Sequence, residues 1–191
     1  MLSYVLKRNF IGEVMEMAWR ITSSSKKKVD RFGISIDQVV LPNGEEKTFS
    51  YLDFAKGVCV LPITKNHDVV CLKQYRHAVN SWQWELPAGM IDRDGIDPLE
   101  VAKKELEEET GYVAEHWLEL GSFYPSPGST TEEIYLFAAA GLAPTEQKLE
   151  TSEQIEVHTI TMEELKDLII KGDFKHGAGL AAVLRYKFMT D

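Results

Sequence analysis

The stretch Lys104–Tyr112, KELEEETGY, gathers four glutamates, Glu105, Glu107, Glu108 and Glu109, within five residues and sets a glycine two places on. On a helix, residues three and four apart share a face. Glu105, Glu108 and Glu109 have that spacing, while Glu107 points away. Each like-charge contact on such a face costs a bare helix on the order of 0.2–0.5 kcal/mol. Between Gly89 and Gly111 eight acids stand against three bases, so Lys103 and Lys104 offset the repulsion only in part. A solvated acidic face would account for a glutamate run alone. A divalent cation would instead turn repulsion into coordination, and Mg²⁺ takes hard oxygen ligands of this kind. The neighbouring DRDGID, residues 92–97, is like a calcium loop, but its glycine stands fourth from Asp92 rather than sixth. It reads as a turn into the helix.

The helix is announced at both ends. Asp97 suits the N-cap, Pro98 the first helical position, and Glu100 stands three residues after the cap. Gly111 suits the position just past the C-terminus. The expected helix runs over 98–110.

Upstream, WRITSSS, DRFGISIDQVVL and KTFSYLDF read as strands broken by the turn PNGEE, and residues 1–17 as a short amphipathic helix. GVCVLPI (57–63) and VVCLKQY (69–75), joined by the polar TKNHD, read as a hairpin. WQWELPAG (82–89) alternates, with Trp82, Trp84 and Leu86 on one face and Gln83 and Glu85 on the other. Downstream, LELGSFYPS, EIYLFAAAGL and QIEVHTITM read as strands. Thr161 with Glu164 forms a capping box for a helix closed by Gly172, and GLAAVLRYKF is helical. Mixed strands flanked by helices give an α+β or α/β sandwich. The domains expected are an N-terminal helix and antiparallel strand module over 1–54, and a main domain over 55–191.

An apolar fraction of 44% supports a buried core. A net charge of −9 argues against nucleic acid, whose phosphates select basic surfaces. An anionic small molecule could bind only with metal ions or local arginines. Cys59 and Cys71 lie in apolar runs and read as buried thiols of a reducing compartment. No apolar run approaches the roughly 20 residues that span a bilayer. Lys7 and Arg8 interrupt any signal-peptide core. The expectation is a cytoplasmic protein with no membrane partner.

The segment GMIDRDGIDPLEVAKKELEEETGY, Gly89–Tyr112, resembles the signature of the Nudix hydrolases: a glycine, a glutamate, then Arg-Glu-U-x-Glu-Glu-x-Gly-U, with U apolar. Glu105 through Gly111 match, with Leu106 and Tyr112 at the apolar positions. Lys104 stands where the family usually has arginine. Gly89 lies one residue too far from Glu105, and Ile96 falls where the first signature glutamate is expected. The resemblance implies a Nudix α/β/α sandwich with a mixed sheet, preceded by the small antiparallel module. It also implies Mg²⁺, with Mn²⁺ as the alternative. Glu105 and Glu109 would be the principal ligands, Glu108 would bind directly or through water, and the Ala88 carbonyl would complete the site.

Farther on, SPGSTTEE (126–133) by itself is only a turn. Its distance from Tyr112 looks like that of the ADP-ribose pyrophosphatase branch, in which a Ser-Pro-Gly precedes a loop glutamate. Glu132 matches that glutamate better than Glu133 does, and Gly128 becomes a substrate-binding candidate. In that branch the N-terminal module commonly packs across a homodimer. The implied activity is hydrolysis of a nucleoside diphosphate sugar, ADP-ribose first, with GDP-mannose as a rival and a non-catalytic sensor as a further alternative. Glu132 is the expected general base, with Glu108 in reserve.

Arg76 is the only arginine between Gly57 and Gly89, and its fork suits phosphate oxygens, although a surface ion pair would explain it equally. Glu85 is a candidate for the nucleoside. Trp82 and Trp84 could stack on a base, but read first as core. The five histidines show no ligand or triad spacing and receive no role.

Overall fold

A computed structural model describes residues 18–30, 32–91 and 95–190. The helix expected in residues 1–17 lies outside them. Two compact units are present: Met1–Phe54 with Gly128–Thr130, and Ala55–Pro127 with Thr131–Asp191.

In the first unit β1 (Arg20–Val29), β2 (Phe32–Val40) and β3 (Glu46–Asp53) form an antiparallel sheet in that order. The expected turn forms between β2 and β3. Gly44, at φ 85°, donates its N–H to Leu41, and Asn43 Oδ1 accepts the Glu45 N–H. Every residue of β1 is exposed. The Ser129 carbonyl accepts the Leu52 N–H, which ties the 128–130 segment to β3.

The second unit holds two sheets. One has the order β7 (Ala88–Met90), β4 (Gly57–Pro62), β9 (Ile134–Pro144), β8 (Tyr112–Phe123), with β4 and β9 parallel and the other pairs antiparallel. The other has the order β10 (Ile155–Ile160), β5 (Val69–Arg76), β6 (Ser81–Glu85). The helices are α1 (Pro98–Thr110), α2 (Met162–Lys171) and α3 (Gly177–Thr190). All residues of β4 are buried. Val58 and Val60 join Val101, Ala102 and Leu106 of α1, while Cys59 and Leu61 join Cys71, Leu165 and Ala182. Each side chain of Val or Leu size so buried contributes about 1.5–3 kcal/mol. Layers on both faces of a mixed sheet give the α/β sandwich expected. Among the described residues no helix is long and apolar enough to cross a membrane.

The hairpin expected for 57–63 and 69–75 does not form. One isolated bridge, Ile63 to Val69, joins the two runs, and their ladders belong to different sheets. A strand apolar on both faces needs cover on both. Strand β4 finds it between α1 and the second sheet, with β9 as a parallel neighbour. The run 82–89 likewise splits at Leu86–Pro87, where the chain passes from one sheet to the other. Trp82 is 44% exposed, so it leaves the core face expected for it, whereas Trp84 packs against the core.

Helix α1 has the expected bounds. Asp97 accepts the Leu99 N–H at 3.0 Å, but Glu100 pairs with Lys103 instead of completing a capping box. The Thr161–Glu164 box is complete, and Gly111 and Gly172 end their helices at φ 70° and 76°. Strand β8 begins at Tyr112, well before the LELG expected to open it.

Candidate active site

Leu106, with no exposed surface, is the inward anchor of α1, and its phase decides where the glutamates go. Glu109 turns inward as well and is 3% exposed. Its Oε2 accepts the Ala88 N–H at 2.9 Å, so the helix is bonded to the first residue of β7. Burial pushes the Glu109 carboxyl up to about 8. The charges of Glu105 and Glu153 add to the rise, and the Ala88 N–H and Arg76 oppose it. Glu105 lies against Gly89. A Cβ on Gly89 would stand 2.2 Å from the Glu105 carboxyl carbon, so the close approach requires glycine.

Glu108 faces the same side but is bound to Lys104 Nζ at 2.8 Å, and Glu107 reaches Lys148 at 3.0 Å. Among the described residues no three acidic, histidine or cysteine side chains converge closely enough to hold an ion as they stand. Glu105 and Glu109 are brought together; Glu108 is turned to its lysine. The donors are still those a hard divalent cation takes, and a cation there would relieve the repulsion from Glu105 that adds to the effect of burial on Glu109.

Arg76 ends β5 and Glu85 ends β6. Arg76 Nε and Nη2 donate to the two carboxylate oxygens of Glu85 at 2.9 and 2.6 Å. The sequence offered the two as separate candidates, and the structure joins them in a bidentate pair around a carboxylate only 5% exposed. On the strand face shared by Leu72 and Glu85, the buried Gln74 Oε1 has no hydrogen-bond partner.

The segment entering β9 separates its two glutamates. Glu133 accepts from Lys56 Nζ at 2.9 Å and from Ser122 Oγ at 2.8 Å, contacts that hold its carboxyl below the usual range. Its carbonyl also accepts the Gly57 N–H. Glu132 is partly buried, and burial raises its pKa. Gly128 belongs to the first unit.

Sequence reasoning missed Lys56, Ser122, Gln147 and His176. Gln147 Nε2 donates to the Glu109 carbonyl at 2.7 Å, and His176 Nδ1 accepts the Leu86 N–H at 3.1 Å. Each bond joins residues far apart in the chain, and no local pattern marks it.

Known proteins agree with this architecture. The NUDIX domain pattern matches residues 53–182, so the chain belongs to the Nudix family. It is a Nudix hydrolase, similar to the ADP-ribose pyrophosphatases. The ADP-ribose pyrophosphatase of Bacillus subtilis is 33% identical over 147 residues, covering 76% of this chain and 77% of the relative. The methanol dehydrogenase activator of Bacillus methanolicus is 36% identical over 133 residues, covering 69% and 71%. A crystal structure of an ADP compounds hydrolase superposes with a TM-score of 0.81 at 18% identity, covering 90% of this chain and 93% of the other, which speaks to the fold.

Proposed function

We propose that the chain hydrolyses the pyrophosphate bond of a nucleoside diphosphate sugar with Mg²⁺, taking ADP-ribose and one water to AMP and ribose 5-phosphate. The observation that carries this reading is the buried Glu109 carboxyl beside Glu105, bonded to the Ala88 N–H. Glu105 and Glu109, with Glu108 and the Ala88 carbonyl, would hold Mg²⁺ or Mn²⁺. Bound there, the ion would neutralise pyrophosphate oxygens and make water more acidic.

The chain's own residues supply the rest. The guanidinium N–H groups of Arg76 that Glu85 does not engage bind the diphosphate, and Glu85 aligns the guanidinium and faces the nucleoside. Glu132 takes the proton of the water whose oxygen attacks phosphorus, as the bond to the bridging oxygen breaks. Its burial moves the pKa toward the range a general base needs. Glu108 is the reserve base.

The N-terminal module joins two copies in this reading, supported by a β1 exposed along its length. A cytoplasmic setting accords with the buried free thiols of Cys59 and Cys71. A second reading, another nucleotide sugar such as GDP-mannose, rests on the same Ser126–Gly128 turn. Comparison of kcat/KM across ADP-ribose, GDP-mannose, dinucleoside polyphosphates and nucleoside triphosphates decides. ADP-ribose should lead; a leading triphosphate would overturn the substrate class.

A further inference from the structure

Four consecutive residues, Glu85 to Ala88, carry the chain from the second sheet to the first, and each is tied separately. Glu85 is held by Arg76, and the Pro87 carbonyl accepts the Val60 N–H at 2.9 Å. The Ala88 N–H goes to Glu109. Leu86 sits at the break between the strands, where ladder pairing stops, and its side chain is fully buried. Its N–H goes to His176 Nδ1 at 3.1 Å, from a residue 90 positions away. A buried N–H without a partner is strongly disfavoured, so this bond holds the crossover in place.

His176 is anchored by its neighbours. Its carbonyl accepts the Leu180 N–H at 2.9 Å at the start of α3, and Phe174, two residues before it, is buried in the core. Gly179 admits the pair: a Cβ there would stand 2.7 Å from Phe174 Cζ and 3.0 Å from His176 Nδ1. To accept, Nδ1 must carry no proton, which places the proton of the neutral ring on Nε2. Burial lowers the pKa of this imidazole and favours that form.

We propose that His176 is a positioning residue for hydrolysis, acting through the Leu86 N–H to hold the Glu85–Ala88 crossover, and with it the Arg76–Glu85 fork and the Ala88–Glu109 contact, in working register. The inference rests on the hydrolase reading above. A displacement of about 1 Å at such a crossover can lower turnover by roughly 100-fold.

The test compares His176→Leu, which removes the acceptor, with His176→Asn, whose Oδ1 falls near the Nδ1 position, and His176→Gln, whose amide falls near Nε2. Steady-state turnover of ADP-ribose with Mg²⁺ is measured beside hydrogen exchange of the Leu86 amide in chelator. His176→Leu should lose roughly tenfold to 100-fold in kcat/KM and expose the Leu86 amide to faster exchange, and His176→Asn should recover most of both. Should His176→Leu not fold, His176→Asn must exceed His176→Gln by about tenfold in kcat/KM. Equal activity in the variants compared, or unchanged Leu86 exchange, overturns the proposal. Failure of the wild-type protein to cleave ADP-ribose tells against the hydrolase reading instead, and the exchange measurement still judges His176.

Discussion

The Glu109 carboxylate accepts the backbone N–H of Ala88 at 2.9 Å, so the acidic helix and the strand beside it meet at a buried acid. An acid whose folded pKa is raised from the ordinary 4.5 to about 8 keeps its proton in the folded state where the unfolded chain has lost it. Stability from this group is therefore present below about 4.5 and is lost as pH rises through 8. In chelator, the free energy of unfolding should fall between pH 5 and 8 by at most about 1.4 kcal/mol per pH unit from this group, and the melting temperature should fall with it. Glu109→Gln should flatten that slope, raise the melting temperature at pH 8 and remove most activity. An unchanged slope would show that Glu109 ionises as an ordinary surface acid.

Gly89→Ala should displace Glu105, because the added carbon falls within 2.2 Å of its carboxyl carbon. The displaced group is the far end of a flexible side chain, so the loss of stability should stay at about 1 kcal/mol. Turnover should fall by roughly 100-fold, and the Mg²⁺ concentration for half-maximal rate should rise. Normal metal dependence in a folded Gly89→Ala would remove Glu105 from the ion site.

Arg76→Leu leaves the buried Glu85 carboxylate without its fork. Arg76 is itself 44% exposed, and solvent screens the pair in part. The expected loss of stability is about 1–3 kcal/mol. KM for ADP-ribose should rise more than kcat falls. An unaltered KM in a destabilised protein would assign Arg76 a structural role alone.

Glu132→Gln keeps shape and removes basicity. If Glu132 is the base, kcat should drop on the order of 10²–10⁴-fold with little change in substrate affinity. Retention of more than about a tenth of wild-type kcat, with a collapse in Glu108→Gln, would move the base to the helix.

Local signals carried the reading of the fold where they sufficed. Asp97, Pro98 and Gly111 bound α1 within their own neighbourhoods, and the Thr161–Glu164 box did the same for α2. Pairing between distant segments was not legible. Strands β4 and β5 are apolar on both faces, so their periodicity could not say which sheet each joins. The alternation of 82–89 hid the change of sheet at Pro87. The site followed the same division. Glu105, Glu108 and Glu109 lie on one helix and could be grouped from spacing. The Arg76–Glu85 fork depends on the register of β5 against β6, and the His176–Leu86 bond on the docking of α3.

The measurement closest to the central claim is ADP-ribose turnover by protein stripped of divalent ions, before and after Mg²⁺ is restored, with both products identified. Turnover in chelator should be negligible and, with Mg²⁺, AMP and ribose 5-phosphate should form in equal amounts. Undiminished turnover after exhaustive chelation, or products other than these two, would contradict it.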